Sequence, residues 1–99
     1  MATAQEIYDA IMKYIDDSGI AYNNWYVGIA SSPKDRLFTD HNVNEAGGHW
    51  IYQDAGSQAA ARKIEKFILD THSTQGGKGG GDETTTWVYA YAITPQTTE

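Results

Sequence analysis

The spacing of apolar residues predicts a chain of 99 residues that alternates helices and strands. After Thr3, apolar residues recur every three or four positions, which is the period of a helix buried along one face. Thr3 and Glu6 have the spacing of a capping box, and Gly19 suits the left-handed residue that ends a helix. This pattern predicts a first helix over roughly residues 4–17.

Three runs rich in β-forming residues predict three strands, at Trp25–Ala30, 49–53 and 85–93. The third run is the longest and is apolar on both faces. One face carries Trp87, Tyr89, Tyr91 and Ile93, and the other carries alanines and a valine. A strand that is apolar on both faces is expected at the centre of a sheet, covered on both sides.

Two further helices are predicted between the strands. Ser32 and Pro33 are typical of a helix start, and this short helix should end near His41-Asn42. The next helix should span roughly 58–71, with an inward stripe of Ala60, Ala61, Ile64, Phe67 and Ile68.

The predicted order is therefore α-β-α-β-α-β, in one small α/β (α+β) domain over residues 1–99 with a three-stranded sheet packed with helices. The connection between the first two strands is long enough for a parallel crossover. A glycine-rich loop is expected over 72–82, and residues 95–99 are expected to fray.

Composition narrows the class of protein. With 40% hydrophobic residues the chain can build one modest core. The absence of cysteine excludes a disulfide scaffold, a thiolate zinc site and a cysteine nucleophile. The chain has no apolar run of the roughly 20 residues that span a membrane, and its first residues lack the pattern of a secretory signal. A cytoplasmic protein without membrane contact is expected.

The formal net charge of −6 argues against a non-specific nucleic-acid binder. The charge is unevenly distributed, however, because residues 25–81 hold six basic and six acidic residues and are neutral. The excess acid lies in the two ends of the chain. Weak, local contact with a phosphate therefore stays open, in the segment that carries Lys34, Arg36, Arg62 and Lys66.

Four residues of this neutral segment could carry chemistry, namely Tyr26, Arg36, His41 and Glu65. A phenol can exchange a proton, a guanidinium fits phosphate oxygens, and a single carboxylate with water can hold Mg²⁺. Each residue also has a structural explanation, such as a pair of Arg36 with Asp40 four residues on. Because Arg36 and His41 are five residues apart, they should not share one narrow helix face, although both could border one groove.

The segment Tyr26-Val27-Gly28-Ile29, followed by Arg36 and His41, resembles the second half of the signature of the GIY-YIG nucleases. Residues 60–68 resemble the family's helix that carries a metal-binding glutamate, so the resemblance covers about 25–69. The family's opening Gly-Ile-Tyr strand is not matched upstream.

The resemblance implies a divergent domain that binds a nucleic-acid phosphodiester. It also implies that the domain would cleave this bond as a magnesium-dependent endonuclease. It implies that Tyr26, Arg36 and His41 are catalytic, that Glu65 holds Mg²⁺ and that Gly28 is the glycine of the strand motif.

A non-catalytic binding or interaction module is the alternative. It would use the aromatic face of the sheet, or the glycine-rich loop, whose free amides and Lys78 could bind an anion. The three histidines do not have the spacing of a metal site. A homodimer is also left open.

Overall fold

The computed structural model describes residues 3–72, 74–76 and 84–98. The helices are α1 (Ala4–Ser18), a 3₁₀ turn (Tyr22–Asn24), a π-helix (Asp35–Asp40) and α2 (Gln58–Thr71); the strands are β1 (Trp25–Ala30), β2 (Trp50–Asp54), β3 (Gln75–Gly76) and β4 (Trp87–Ala92). Within these ranges, none of the helices combines the length and the apolar character needed to cross a bilayer.

The strands form one mixed sheet in the order β2-β4-β1-β3. β4 is antiparallel to both β1 and β2, while β3 is parallel to β1. The predicted α+β class is confirmed, and so is the central place of the strand that is apolar on both faces. The crossover from β1 does not lead to a neighbouring strand, because β4 lies between β1 and β2.

The prediction of three strands is wrong, since the sheet already has four strands within the residues that the structure describes. The additional strand, β3, lies at the start of the segment that was expected to be loop, and it pairs with Tyr26 and Val27. Gly76 makes this pairing possible, because its φ of 133° suits glycine and any Cβ would overlap the Val27 carbonyl oxygen. The sequence shows no strand pattern there, since two residues are too few to produce one.

Each face of the sheet has its own core. On one face, α1 and α2 pack their isoleucines over Trp25, Val27 and Val88. On the other face, Leu37 of the π-helix and the following Val43 pack against Tyr26, Tyr89 and Tyr91. The predicted inward stripe of α2 is confirmed except at one position.

That position is Phe67, whose side chain is 53% exposed. Its ring meets the ring of Tyr8 edge-on at 5.0 Å, outside the sheet-facing core. The five predicted stripe residues span a wider arc of the α2 circumference than the arc buried against the sheet, so Phe67 lies at the edge of the buried face.

The predicted ends of the helices are present. Thr3 Oγ1 accepts the Glu6 amide at 3.1 Å, and the Glu6 side chain accepts the Thr3 amide at 3.0 Å. Gly19 closes α1 with a φ of 74°. At α2, Ser57 Oγ accepts the Ala60 amide at 3.1 Å. These short-range patterns place both large helices within one residue of their predicted bounds.

Candidate functional site

The hydroxyl of Tyr89 lies at the centre of the residues that the sequence selects. Tyr89 is on the central strand, faces away from α1 and α2, and is only 1% exposed. It is paired with Gly28 across the β1–β4 ladder. A Cβ on Gly28 would lie 2.5 Å from the Tyr89 hydroxyl oxygen, so only glycine leaves room for this ring.

The π-helix presents Arg36 and His41 on the same side. The His41 amide donates to the Arg36 carbonyl at 2.8 Å, which is the five-residue hydrogen bond that defines a π turn. The expectation that residues five apart do not share a face holds for an α-helix, but the wider π turn aligns them. The predicted short helix is therefore present over Asp35–Asp40 with a different hydrogen-bond pattern.

His41 is 6% exposed and links three groups. Its Nε2 is 2.9 Å from the Tyr89 hydroxyl, and its Nδ1 is 2.7 Å from the Thr98 carbonyl and 3.0 Å from the Tyr91 hydroxyl. A carbonyl oxygen can only accept, so this contact assigns the ring proton to Nδ1. Nε2 is then an acceptor, and the Tyr89 hydroxyl donates to it.

Arg36 acts on the same phenol. Its guanidinium interacts favourably with Tyr89, which raises the pKa of Arg36 and opposes the rise in the pKa of Tyr89. It also donates to Asp40 at 3.2 Å, which is the pair expected from the sequence. Burial lowers the pKa of Arg36, but the interactions with Tyr89 and Asp40 outweigh it, so the pKa is raised and the charge is retained. The Arg36 side chain is 47% exposed and is the part of the cluster that solvent reaches.

Tyr26 completes the aromatic part of the cluster. Its ring centroid is 4.8 Å from that of His41 and 5.4 Å from that of Tyr91. The Tyr26 and Tyr91 planes differ by 20°, so the two phenols are stacked. Tyr26 is 7% exposed and therefore forms a wall of the site rather than an exposed strand residue.

Glu65 of α2 is a buried carboxylate with an open coordination position. It is 7% exposed, and its Oε2 finds no hydrogen-bond partner among the residues that the structure describes. Burial raises the pKa of Glu65, while the charge of Arg62 acts in the opposite direction. Mg²⁺ is usually held by one or two carboxylates together with water and phosphate oxygens, so this carboxylate fits such an ion.

Several of these residues influence the pKa of Tyr89. Burial raises this pKa above its ordinary value of 10.0, and electrostatic interaction with Tyr26 and Glu65 raises it further, while Arg36 opposes them. Tyr89 is therefore a neutral phenol at physiological pH. The Tyr89 hydroxyl can give up its proton only if it takes up another proton at the same time.

Tyr26, Gly28, Arg36 and His41 thus meet around Tyr89, whereas Glu65 extends from α2, which packs on the opposite face of the sheet, and influences Tyr89 only electrostatically. Lys78 and most of the glycine-rich loop lie outside the described residues. His49 and His72 are elsewhere, with His72 Nε2 2.9 Å from the Tyr8 hydroxyl. Across residues 3–72, 74–76 and 84–98, no three side chains of the metal-binding types form a cluster.

Sequence reasoning missed Tyr89, Tyr91 and Thr98 as members of the site. The sequence predicts that Tyr89 and Tyr91 share one strand face, but it does not connect this aromatic face with Arg36 and His41. The pairing of β4 beside β1 is a long-range contact, and nothing in the local pattern reveals it.

Comparisons of the chain with protein-family models, with curated proteins and with solved structures give no match.

Proposed function

We propose that this chain is a divergent GIY-YIG-like domain that binds a nucleic-acid phosphodiester and hydrolyses it with Mg²⁺. The observation that carries the proposal is the Tyr89 hydroxyl, which is hydrogen-bonded to His41, interacts electrostatically with Arg36 and lies against Gly28 of the Tyr-Val-Gly strand. The family's opening strand motif supplies a tyrosine, and that Gly-Ile-Tyr motif is not matched upstream of Tyr26. Tyr89 on the antiparallel neighbour of β1 supplies that phenol from the opposite end of the chain.

The phosphate would bind at Arg36. The guanidinium is the exposed member of a cluster whose other members are almost fully buried, so an anion reaches it first. Its planar donors match two phosphate oxygens, and removal from water strengthens this attraction. Arg36 would thereby stabilise the negative charge that develops on the phosphoryl oxygens during attack by water.

Tyr89 and His41 would move the proton. As the water oxygen bonds to phosphorus, its proton passes to the Tyr89 oxygen while the Tyr89 proton passes to His41 Nε2. This exchange agrees with the raised pKa of Tyr89, because the phenol never has to ionise alone. The bond from phosphorus to the leaving oxygen breaks, and that oxygen takes a proton from solvent.

Glu65 would hold the metal. Its unpartnered Oε2 is the donor that the described part of the chain offers, and the remaining positions would be filled by water and by the substrate. When bound, Mg²⁺ supplies positive charge to the phosphate oxygens.

A plasmid-nicking assay with Mg²⁺ tests the proposal. The Tyr89→Phe variant removes only the hydroxyl and should reduce nicking about 100-fold, as does loss of one transition-state donor in other enzymes. Tyr52→Phe is the matched control, because Tyr52 faces Tyr89 across the β2–β4 ladder and is not part of the cluster. The proposed nuclease activity would be refuted if the wild-type protein did not nick the plasmid, or if both variants nicked it equally.

One observation favours a non-catalytic binding module as second candidate. Trp50, Tyr52 and Trp87 are partly exposed on the same sheet face, with ring centroids 5.7 and 5.6 Å apart in succession. Exposed rings of this kind can stack on unpaired bases. Amide shifts at these three residues on addition of a short oligonucleotide, without cleavage, would favour this candidate.

A further inference from the structure

The last described residues return to the site. Residues 94–98, named the C-terminal strap here, follow β4 and close into a turn in which the Thr97 amide donates to the Thr94 carbonyl at 3.2 Å. The Thr98 amide then donates to the His41 carbonyl at 2.8 Å. Residues 95–99 are expected from the sequence to fray; among the described ones, the Gln96 carbonyl and the Thr98 amide are hydrogen-bonded to Asn42 and His41.

Two contacts hold the strap in this place. Thr98 makes two contacts with His41. The Thr98 amide donates to the His41 backbone carbonyl, and the Thr98 carbonyl lies 2.7 Å from the His41 ring Nδ1. One residue along, Asn42 Nδ2 donates to the Gln96 carbonyl at 3.0 Å. Asn42 has a φ of 56°, a left-handed conformation that asparagine tolerates better than most residues, and this conformation lies directly beside the strap contact.

We infer that the C-terminal strap is a positioning element of the site: the Thr98 carbonyl keeps the ring proton of His41 on Nδ1, which leaves Nε2 free to accept from Tyr89. The second hydrogen bond of a histidine sets which ring nitrogen carries the proton. Without the carbonyl, the opposite tautomer would place an N–H against the Tyr89 hydroxyl and reverse that bond. The same carbonyl would stabilise the positive ring after His41 has accepted a proton.

The expected effect on the nicking rate rests on the proposed function. Which His41 ring nitrogen carries the proton can be measured independently of that function. Long-range ¹H–¹⁵N NMR of the full chain reports which nitrogen of each histidine is protonated, and the His41 signals are identified by their loss in His41→Gln. We expect Nδ1 to be protonated in the wild type. A wild-type ring protonated on Nε2 overturns the inference.

Two variants remove the strap by different means. Thr98→Pro eliminates the amide that binds the His41 carbonyl, and Asn42→Gly removes the anchor to Gln96 while it tolerates the positive φ. Thr98→Ala keeps both backbone groups and should leave the tautomer unchanged. In the first two variants we expect a mixture of tautomers, and a nicking rate lowered about tenfold, as for partners that orient metal-bound histidines.

The outcomes separate the two claims. If the wild type does not nick, the proposed function fails, and the tautomer comparison still decides the role of the strap. If the wild type nicks and both strap variants keep the tautomer and the rate, the proposed function survives and the strap inference is overturned.

Discussion

The ring of Tyr89 lies across Gly28, its partner on the neighbouring strand, at a distance that no other residue at position 28 would allow. The glycine of the Tyr-Val-Gly strand is therefore required for steric reasons. Its missing side chain leaves the space in which the Tyr89 hydroxyl meets His41 and Arg36.

Gly28→Ala should destabilise the protein by about 1–3 kcal/mol, because the added methyl group overpacks a buried ring that has no space to retreat. Urea unfolding followed by tryptophan fluorescence measures this change. Gly47→Ala is the control, since its Cβ would meet only the Asn44 side chain, with the nearest atom at 3.3 Å. Equal stability of the two variants would show that Tyr89 does not occupy this place.

Arg36→Ala should separate activity from stability. The pair with Asp40 is half exposed, so its loss should cost less than about 1 kcal/mol of unfolding free energy. If the guanidinium stabilises the transition state, nicking should fall about 100-fold. Arg36→Lys should recover only part of the rate, because an ammonium lacks the planar fork.

The matched control for Arg36 is Lys13→Ala, because Lys13 forms an exposed pair with Asp17 four residues on in α1, like the pair of Arg36 with Asp40. Both variants lose one positive charge, so a general electrostatic effect on nucleic-acid binding would lower nicking equally in the two. That result would contradict a specific role of Arg36.

Stability should depend on pH through Glu65. Burial raises the pKa of this carboxyl above its ordinary value of 4.5, so the folded protein keeps a proton that the unfolded chain has released. As pH rises from 4.5 through the folded pKa, the native state binds more protons than the unfolded state, and the free energy of unfolding falls. At pH values below this range the carboxyl is protonated in both states, so its burial does not lower the free energy of unfolding.

Glu65→Gln should remove that pH-dependent loss. Urea unfolding at about pH 4 and about pH 7 should show the wild type losing stability relative to the variant as pH rises. Glu45→Gln, on an exposed loop position, should follow the wild type. A constant difference between wild type and Glu65→Gln across this range would mean that the carboxylate is not desolvated.

Mg²⁺ should stabilise the folded protein through the same carboxylate. With a dissociation constant of about 1 mM, about 10 mM Mg²⁺ would add about 1.4 kcal/mol at neutral pH. Thermal unfolding with Mg²⁺ and with NaCl at matched ionic strength measures the specific part. The effect should vanish in Glu65→Gln, and an equal effect in both proteins would place the ion elsewhere.

Local patterns predicted most of the secondary structure. The capping box at Thr3 and Glu6, the serine before α2 and the apolar period of both helices act within a few residues, so they can be read directly. The two-residue β3 and the π turn between Arg36 and His41 escaped prediction. Both depend on packing against β1 or the sheet, and short-range preference is weak there.

The candidate site divides in the same way. Periodicity, capping and charge are properties of neighbouring positions, so the amino-acid order predicts the class of the fold, the central strand and the residue types with suitable chemistry. It does not predict that His41, Arg36 and Gly28 come together at Tyr89, which is a result of folding. The pairing of β4 with β1 joins segments about sixty residues apart, and their contact is stabilised by burial between two packed faces rather than by any local preference.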